Sequence, residues 1–305
     1  MLASAVLLAS AAIFHGTPAT QVPWFVTLEQ GQPFCGGALI TPDRVLTAAH
    51  CVQGGGPHNF QPRVGGRMRA WRGAYFPTNY RVIPSPVEPD NYNASATAND
   101  IAVIVLKRPA TGVPTLPLAT TPPRDGEATL TVGRGSTSPN SDVSKVPLQA
   151  AQQVRDCTSL YPPTLLHTTL HLCTQDRTPT KAQACAGDSG SPVLVTRDNQ
   201  PLVAGVVTWG GETLGKECGE GPADVSERTL PHARLLTGPI PEAFAPYSTS
   251  AVRITASGHC KRGTWRPKTA RLTVRYFRRH HRTACKVIAR TPGGWSEQES
   301  FNEAG

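Results

Sequence analysis

An all-β fold is what this sequence predicts, and three observations carry that expectation. Short apolar or alternating runs rich in β-branched residues recur along the chain, bounded by Gly, Pro, Asn or Asp. Only 17% of the residues are charged, and the 28 Gly and 29 Pro are scattered, which suits many short strands joined by turns. Helical periodicity is scarce. With 305 residues, 39% of them hydrophobic, the chain is long enough for one large domain plus an appendage, or for two domains.

Residues 2 to 13 form an apolar run too short to cross a bilayer as a helix but suited to the core of a signal peptide, with Ser10 and Ala12 as the small residues before a cut. Residues 1–12 are therefore expected to be a signal peptide or its remnant, and the protein to be secreted. No later segment could span a membrane. Strands are expected at WFVTL (24–28), GALI (37–40), RVLTAA (44–49), IAVIVL (101–106), ATLTVG (128–133), PVLV (192–195) and LVAGVVTWG (202–210). A short helix is expected after His50, a turn or two of helix at 151–160, and a closing helix at PHARLLTG. The stretch 110–126 divides this region into halves of similar size, and the Pro-rich segment 239–250 is a linker. A small basic β-rich module is expected at 251–305.

The formal charge of +9 first suggests nucleic acid or an anionic membrane, yet its distribution argues otherwise. Of 30 basic and 21 acidic residues, 12 basic and 3 acidic ones lie beyond Tyr247, leaving the rest balanced at 18 each. The run Arg275, Arg278, Arg279, His280, His281, Arg282 is either a contact for an anionic surface or a solvated basic face. Eight Cys, an even number without zinc-type spacing, favour disulfides.

The chemistry-bearing residues fall in three places. In Cys185-Ala186-Gly187-Asp188-Ser189-Gly190-Ser191-Pro192, glycines flank a hydroxyl that an incoming carbonyl could reach. If the Gly187 and Ser189 amides converge, they can hold an oxyanion, worth about 2.7–4 kcal/mol per donor. A serine needs a base, and His50 ends the apolar run Leu46-Thr47-Ala48-Ala49 beside Cys51. The base needs a buried carboxylate to fix its tautomer, and Asp100 stands where IAVIVL enters the core.

Taken in order, TAAHC, NDIAVIVL and GDSGSP, with further matches at CGGALI, TVGRGST and VTWG, resemble the trypsin and chymotrypsin family over residues 13 to about 238. The resemblance implies two six-stranded antiparallel β-barrels, a short C-terminal helix and a His50, Asp100, Ser189 triad. It implies a serine endopeptidase that hydrolyses protein or peptide substrates through an acyl-enzyme, with Gly187 and Ser189 as oxyanion hole. It further implies disulfides Cys35–Cys51, Cys157–Cys173 and Cys185–Cys218, leaving Cys260 and Cys285 for the tail, and an activation ion pair between the Ile13 amine and Asp188. Neither metal nor cofactor is required, and a monomer is expected.

The resemblance places Gln183 at the base of the primary pocket, where trypsin-like enzymes carry Asp, and Thr208, Trp209 and Gly210 along its wall and substrate-binding edge. Counting from Cys218 puts Asp224 on the opposite wall; aligning Pro222 puts Ala223 there. The first suits a basic substrate side chain and the second an apolar one, with the apolar version preferred. Arg134 stands where the family has Trp, and no aromatic follows Pro222. The tail weakly resembles small immunoglobulin-like modules of bacterial exported proteins. The alternative reading is a secreted binding or adhesion protein on an inactive protease scaffold.

Overall fold

The computed structural model describes residues 13–53, 59–138 and 141–238, together with the backbone of three tail strands. The expected signal segment, the linker and Cys260 lie outside the described residues. The two-residue strand β1 (Thr17–Pro18) pairs with the second half of the molecule. The first half holds β2 (Phe25–Gln30), β3 (Gln32–Thr41), β4 (Arg44–Thr47), β5 (Gln61–Val64), β6 (Arg67–Met68) and β7 (Trp71–Tyr75). A separate pair, β8 (Arg81–Ile83) and β9 (Ala96–Ala98), precedes β10 (Ala102–Leu106). The second half holds β11 (Ala128–Gly133), β12 (Leu148–Arg155), β13 (His171–Gln175), β14 (Pro192–Arg197), β15 (Gln200–Trp209) and β16 (Asp224–Arg228).

In the second half β12 pairs with both β11 and β13, so six strands close on themselves as a barrel. The first half runs β6-β5-β2-β3-β4-β10-β7 and curls without pairing its two ends. The expected two-barrel fold is therefore present, with the first barrel open between β6 and β7. The helix expected within 151–160 is mostly strand: in Leu148–Arg155 inward and outward residues alternate with period two, which a pleated strand satisfies and a helix does not. A single 3₁₀ turn, Cys157–Ser159, follows it. Among the described residues, the chain after His50 makes a turn, Gln53 N–H donating to Ala49 O. The closing helix α1 spans Ala233–Thr237.

One apolar core joins the halves, with Leu39, Val45, Ile104 and Leu116 of the first packing in a cluster that includes Val132, Leu194, Val203, Val206 and the fully buried Leu236 of α1. The crossing segment is zipped to both sides: Leu116 N–H donates to Leu39 O, and Ala119 N–H to Val203 O, each at 2.9 Å. Arg44 Nη1 donates to Leu236 O at 2.9 Å, tying α1 to β4.

The tail forms a three-stranded antiparallel sheet of β17 (Arg271–Arg279), β18 (Arg282–Arg290) and β19 (Ser296–Asn302). Its side chains, on which the expected anionic contact rests, lie outside the description. No helix among the described residues is long and apolar enough to cross a membrane.

The halves meet closely at Gly190, which has φ +81°, and a Cβ there would overlap Thr47 Oγ1 and Gly36 O and lie 3.2 Å from Ala48 N. Gly190→Ala is expected to cost roughly 2–4 kcal/mol, because the side chain meets backbone that cannot retreat and the φ is left-handed. Denaturant unfolding against the parent measures this.

Candidate active site

His50 and Asp100 are brought together by the β4–β10 pairing, in which Thr47 faces Ala102. Beyond Thr47 the chain passes through the buried Ala48 and Ala49, and small side chains let the turn carrying His50 sit against the start of β10. Asn99 takes φ +57°, turning the chain so that Asp100 points inward with no exposed surface. Its Oδ1 accepts the His50 backbone N–H at 2.9 Å, and Oδ2 accepts His50 Nδ1–H and Thr97 Oγ1–H, each at 2.7 Å. Burial alone would raise the Asp100 carboxyl, but the His50 charge and these hydrogen bonds hold it below the usual range. Burial alone would lower the His50 imidazole; Asp100 outweighs it and holds the ring above its ordinary value.

A second buried network lies behind Asp100, and sequence reasoning missed it. Thr97, which donates to Asp100, accepts from His171 Nε2 through its carbonyl at 2.9 Å. Burial drives His171 down to about 4, so the ring is neutral near pH 7. Glu227, fully buried on β16, accepts from His232 Nε2 at 2.7 Å and lies 3.9 Å from His171. The one available signal was the polar residues in HLCTQ and DVSER, which burial on both strand faces makes exceptional.

The loop carrying Ser189 is fixed from all sides. The disulfide Cys185–Cys218 holds its start, and Cys35–Cys51 holds the strand it leans on; Cys157–Cys173 braces the second barrel. Gly36 N–H donates to Ser189 O at 2.7 Å, Gly190 N–H to Val207 O at 2.8 Å, and Val207 N–H returns to Ser191 O at 2.9 Å. The amides of Asp188, Gly190 and Ser191 all donate within the protein, whereas those of Gly187 and Ser189 donate to no partner among the described residues. Gly187 has φ +92°, a conformation that an L side chain rarely adopts. The half-buried Ser189 makes no hydrogen bond from its hydroxyl to the His50 ring in this structure.

Asp188 is sealed in the protein, its carboxylate accepting the Gly135 N–H at 2.7 Å and the Cys185 N–H at 2.9 Å. A Cβ on Gly133 or Gly135 would overlap that carboxylate, which accounts for both glycines of TVGRGST. Arg134, between them, donates from Nε to Ser144 O at 2.9 Å. Burial pushes the Asp188 carboxyl up to about 7 despite its amide donors. Ile13 is fully buried beside Ala150 and Ala182, the Phe14 carbonyl accepts the Gln183 N–H at 3.1 Å, and β1 follows along β12. No ion pair joins Ile13 to Asp188 among the described residues.

In the expected pocket, Gln183 spends its amide on the opposite loop: Oε1 accepts the Gly219 N–H at 2.8 Å. Trp209 is buried edge-on against Tyr161 and His171, and Thr208 Oγ1 donates to Val225 O at 3.0 Å. Ala223 is buried, its carbonyl accepting from Tyr161 Oη. The carboxylate of Asp224, also buried, accepts from Gln152 Nε2 at 2.6 Å and from the Ala184 N–H at 3.0 Å, and its Oδ1 lies 3.9 Å from where a Gly210 Cβ would stand. Burial, reinforced by Asp188 and Glu212, raises Asp224 to about 7 against the lowering effect of those two hydrogen bonds.

Comparison with known proteins bears on the family and the fold. The family model described as Trypsin matches residues 13–226. Trypsin zeta of Drosophila erecta is 33% identical over 215 residues, covering 64% of this chain and 74% of that protein. Kallikrein-15 of Homo sapiens is 32% identical over 211 residues, covering 62% and 75%. Among solved structures, neuropsin, a serine protease expressed in the limbic system of mouse brain, matches with a TM-score of 0.59 and 23% identity over 72% of this chain and 96% of its own. That likeness shows the fold.

Asp188 and Asp224, raised from 3.8 to about 7 on folding, hold protons in the native chain that the unfolded chain has lost. Their contribution to stability is complete below pH 4 and disappears as pH rises through 7, at about 1 kcal/mol per pH unit for each group. Urea unfolding of the uncut chain between pH 4 and 8 is expected to show this decline, and Asp188→Asn or Asp224→Asn to flatten it relative to the parent.

Proposed function

The chain belongs to the trypsin family of serine proteases, and on that premise we propose that it is a secreted endopeptidase working through an acyl-enzyme. Ser189 attacks the carbonyl, His50 takes the serine proton and returns it to the leaving amine, and Asp100 orients the ring and stabilises the imidazolium. The observation that carries this reading is the His50 Nδ1–Asp100 hydrogen bond of 2.7 Å, which leaves Nε2 as the ring nitrogen free to accept a proton. The unspent amides of Gly187 and Ser189 suit the tetrahedral oxyanion. The hydroxyl-to-imidazole contact, not made here, is of the kind that tightens when substrate binds.

In this reading, cutting after Ala12 creates the active form. The freed amine of the already buried Ile13 would give Asp188 the cation it lacks among the described residues and lock the neighbouring oxyanion loop. Three disulfides and the apolar leader support export to an oxidising compartment. The pocket is read as taking a basic side chain: the Asp224 carboxylate faces the Gly210 edge, and a docked Arg or Lys would lower its proton affinity and ionise it. This reverses the apolar preference drawn from aligning Pro222.

A fluorophosphonate probe tests the assignment. Protein beginning at Ile13 is expected to be labelled, Ser189→Ala not at all, and Asp100→Asn to turn over about 10³–10⁴-fold more slowly. Absence of labelling in correctly cut protein supports the inactive binding scaffold instead. Asp224→Ala is expected to lower kcat/KM for an arginyl peptide amide by at least about 30-fold while sparing phenylalanyl peptides far more, because the substrate cation is left without a partner.

A further inference from the structure

After Trp209 the chain makes a 3₁₀ turn, Gly211–Leu214, ended by Gly215 at φ +67°. The turn is anchored rather than loose. Lys216 N–H donates to Gly211 O and Gly215 N–H to Glu212 O, each at 3.0 Å. Ser85 Oγ donates to Thr213 O at 2.8 Å while accepting the amides of Val87 and Glu88. Gly211 also rests on the Gly221 backbone so closely that a Cβ there would overlap it.

This anchored turn sends the Glu212 carboxylate back onto the substrate-binding edge, where Oε1 accepts the Gly210 N–H at 2.7 Å and Oε2 lies 3.2 Å from where a Gly210 Cβ would stand. Glu212 keeps solvent contact at the mouth of the site, yet the surrounding protein desolvates its carboxylate enough to hold it above its ordinary value, and it lies close enough to His50 for each charge to shift the other. Among the described residues it has no Lys or Arg partner.

An extended peptide pairing with the Gly210 edge needs the amide that Glu212 occupies. The carboxylate must then give up its donor in surroundings crowded enough to penalise an unpaired charge. A neutral substrate leaves that penalty standing; a cationic one removes it with a charge-assisted hydrogen bond. Resting on the catalytic reading above, we propose that Glu212 is a specificity-determining residue that selects substrates bearing a second positive charge, on the acyl side of the scissile bond and upstream of the residue seated against Asp224. The chemistry recognised is an N–H-donating cation, supplied either by a Lys or Arg side chain or by a free peptide amino terminus.

The test uses protein beginning at Ile13 and peptide amides with a fixed Arg at the cleaved residue, varied Lys, Ala or Glu at the two preceding positions, and a free or acetylated amino terminus. Cationic peptides are expected to exceed neutral ones by about tenfold in kcat/KM, mainly through KM, and Glu212→Gln to erase that margin. If acetylation removes the preference, the amino terminus is the cation; if the preference survives acetylation and follows Lys, it is the side chain. A fluorophosphonate-reactive parent without any preference overturns the proposal while leaving the catalytic reading intact. So does a preference retained in Glu212→Gln, or a Glu212→Ala variant that accelerates all peptides equally, which would make the carboxylate a simple cap. A parent that fails to label removes the catalytic reading and this one together.

Discussion

A carboxylate with no solvent contact keeps its charge only where hydrogen-bond donors replace water, and Asp100 meets that condition with three of them. The donors come from two structural commitments. The His50 amide and ring depend on the small residues Ala48 and Ala49 that follow β4, and the Thr97 hydroxyl depends on β9 closing against β8. The open curl of the first half is sufficient for this purpose, because β4 and β10 pair directly with each other and each is flanked by a further strand, β3 and β7.

The second barrel solves a different problem, that of holding backbone amides without using them. Closing six strands lets β14 and β15 clamp both ends of the loop around Ser189, through Val207 and Ser191. Donors left idle inside a folded protein are costly, so the loop must be over-determined by its other contacts. Gly36, Gly133, Gly135 and Gly190 each surrender a side chain so that backbone or carboxylate can approach the loop. The cost is borne by shape rather than by any single strong bond.

Much of this arrangement was legible in the residues. Runs such as IAVIVL and LVAGVVTWG declare buried strands, and the three motifs around His50, Asp100 and Ser189 name the chemistry. The short strands Gln61–Val64, Arg67–Met68 and Arg81–Ile83 were not legible, because each is only two to four residues long and carries an Arg, too short a stretch to establish an apolar period. Leu148–Arg155 was misread because Ala and Gln are good helix formers; pairing with two neighbouring strands overrode local propensity. The choice between Ala223 and Asp224 could not be made by counting, since Ala223 immediately precedes β16, Asp224 opens it, and both are buried. The Glu227, His171 and His232 cluster needed β13 to meet the segment 227–232 across the sheet, which no local pattern encodes.

The hydrogen bond from Arg44 to the Leu236 carbonyl, together with the burial of Leu236, makes the last helical turn a strap between the two halves. His232, one turn earlier, reaches the Glu227 carboxylate in the buried network behind Asp100. Losing the segment from His232 to Leu236 would therefore unfasten this strap between the halves and take away the partner of Glu227.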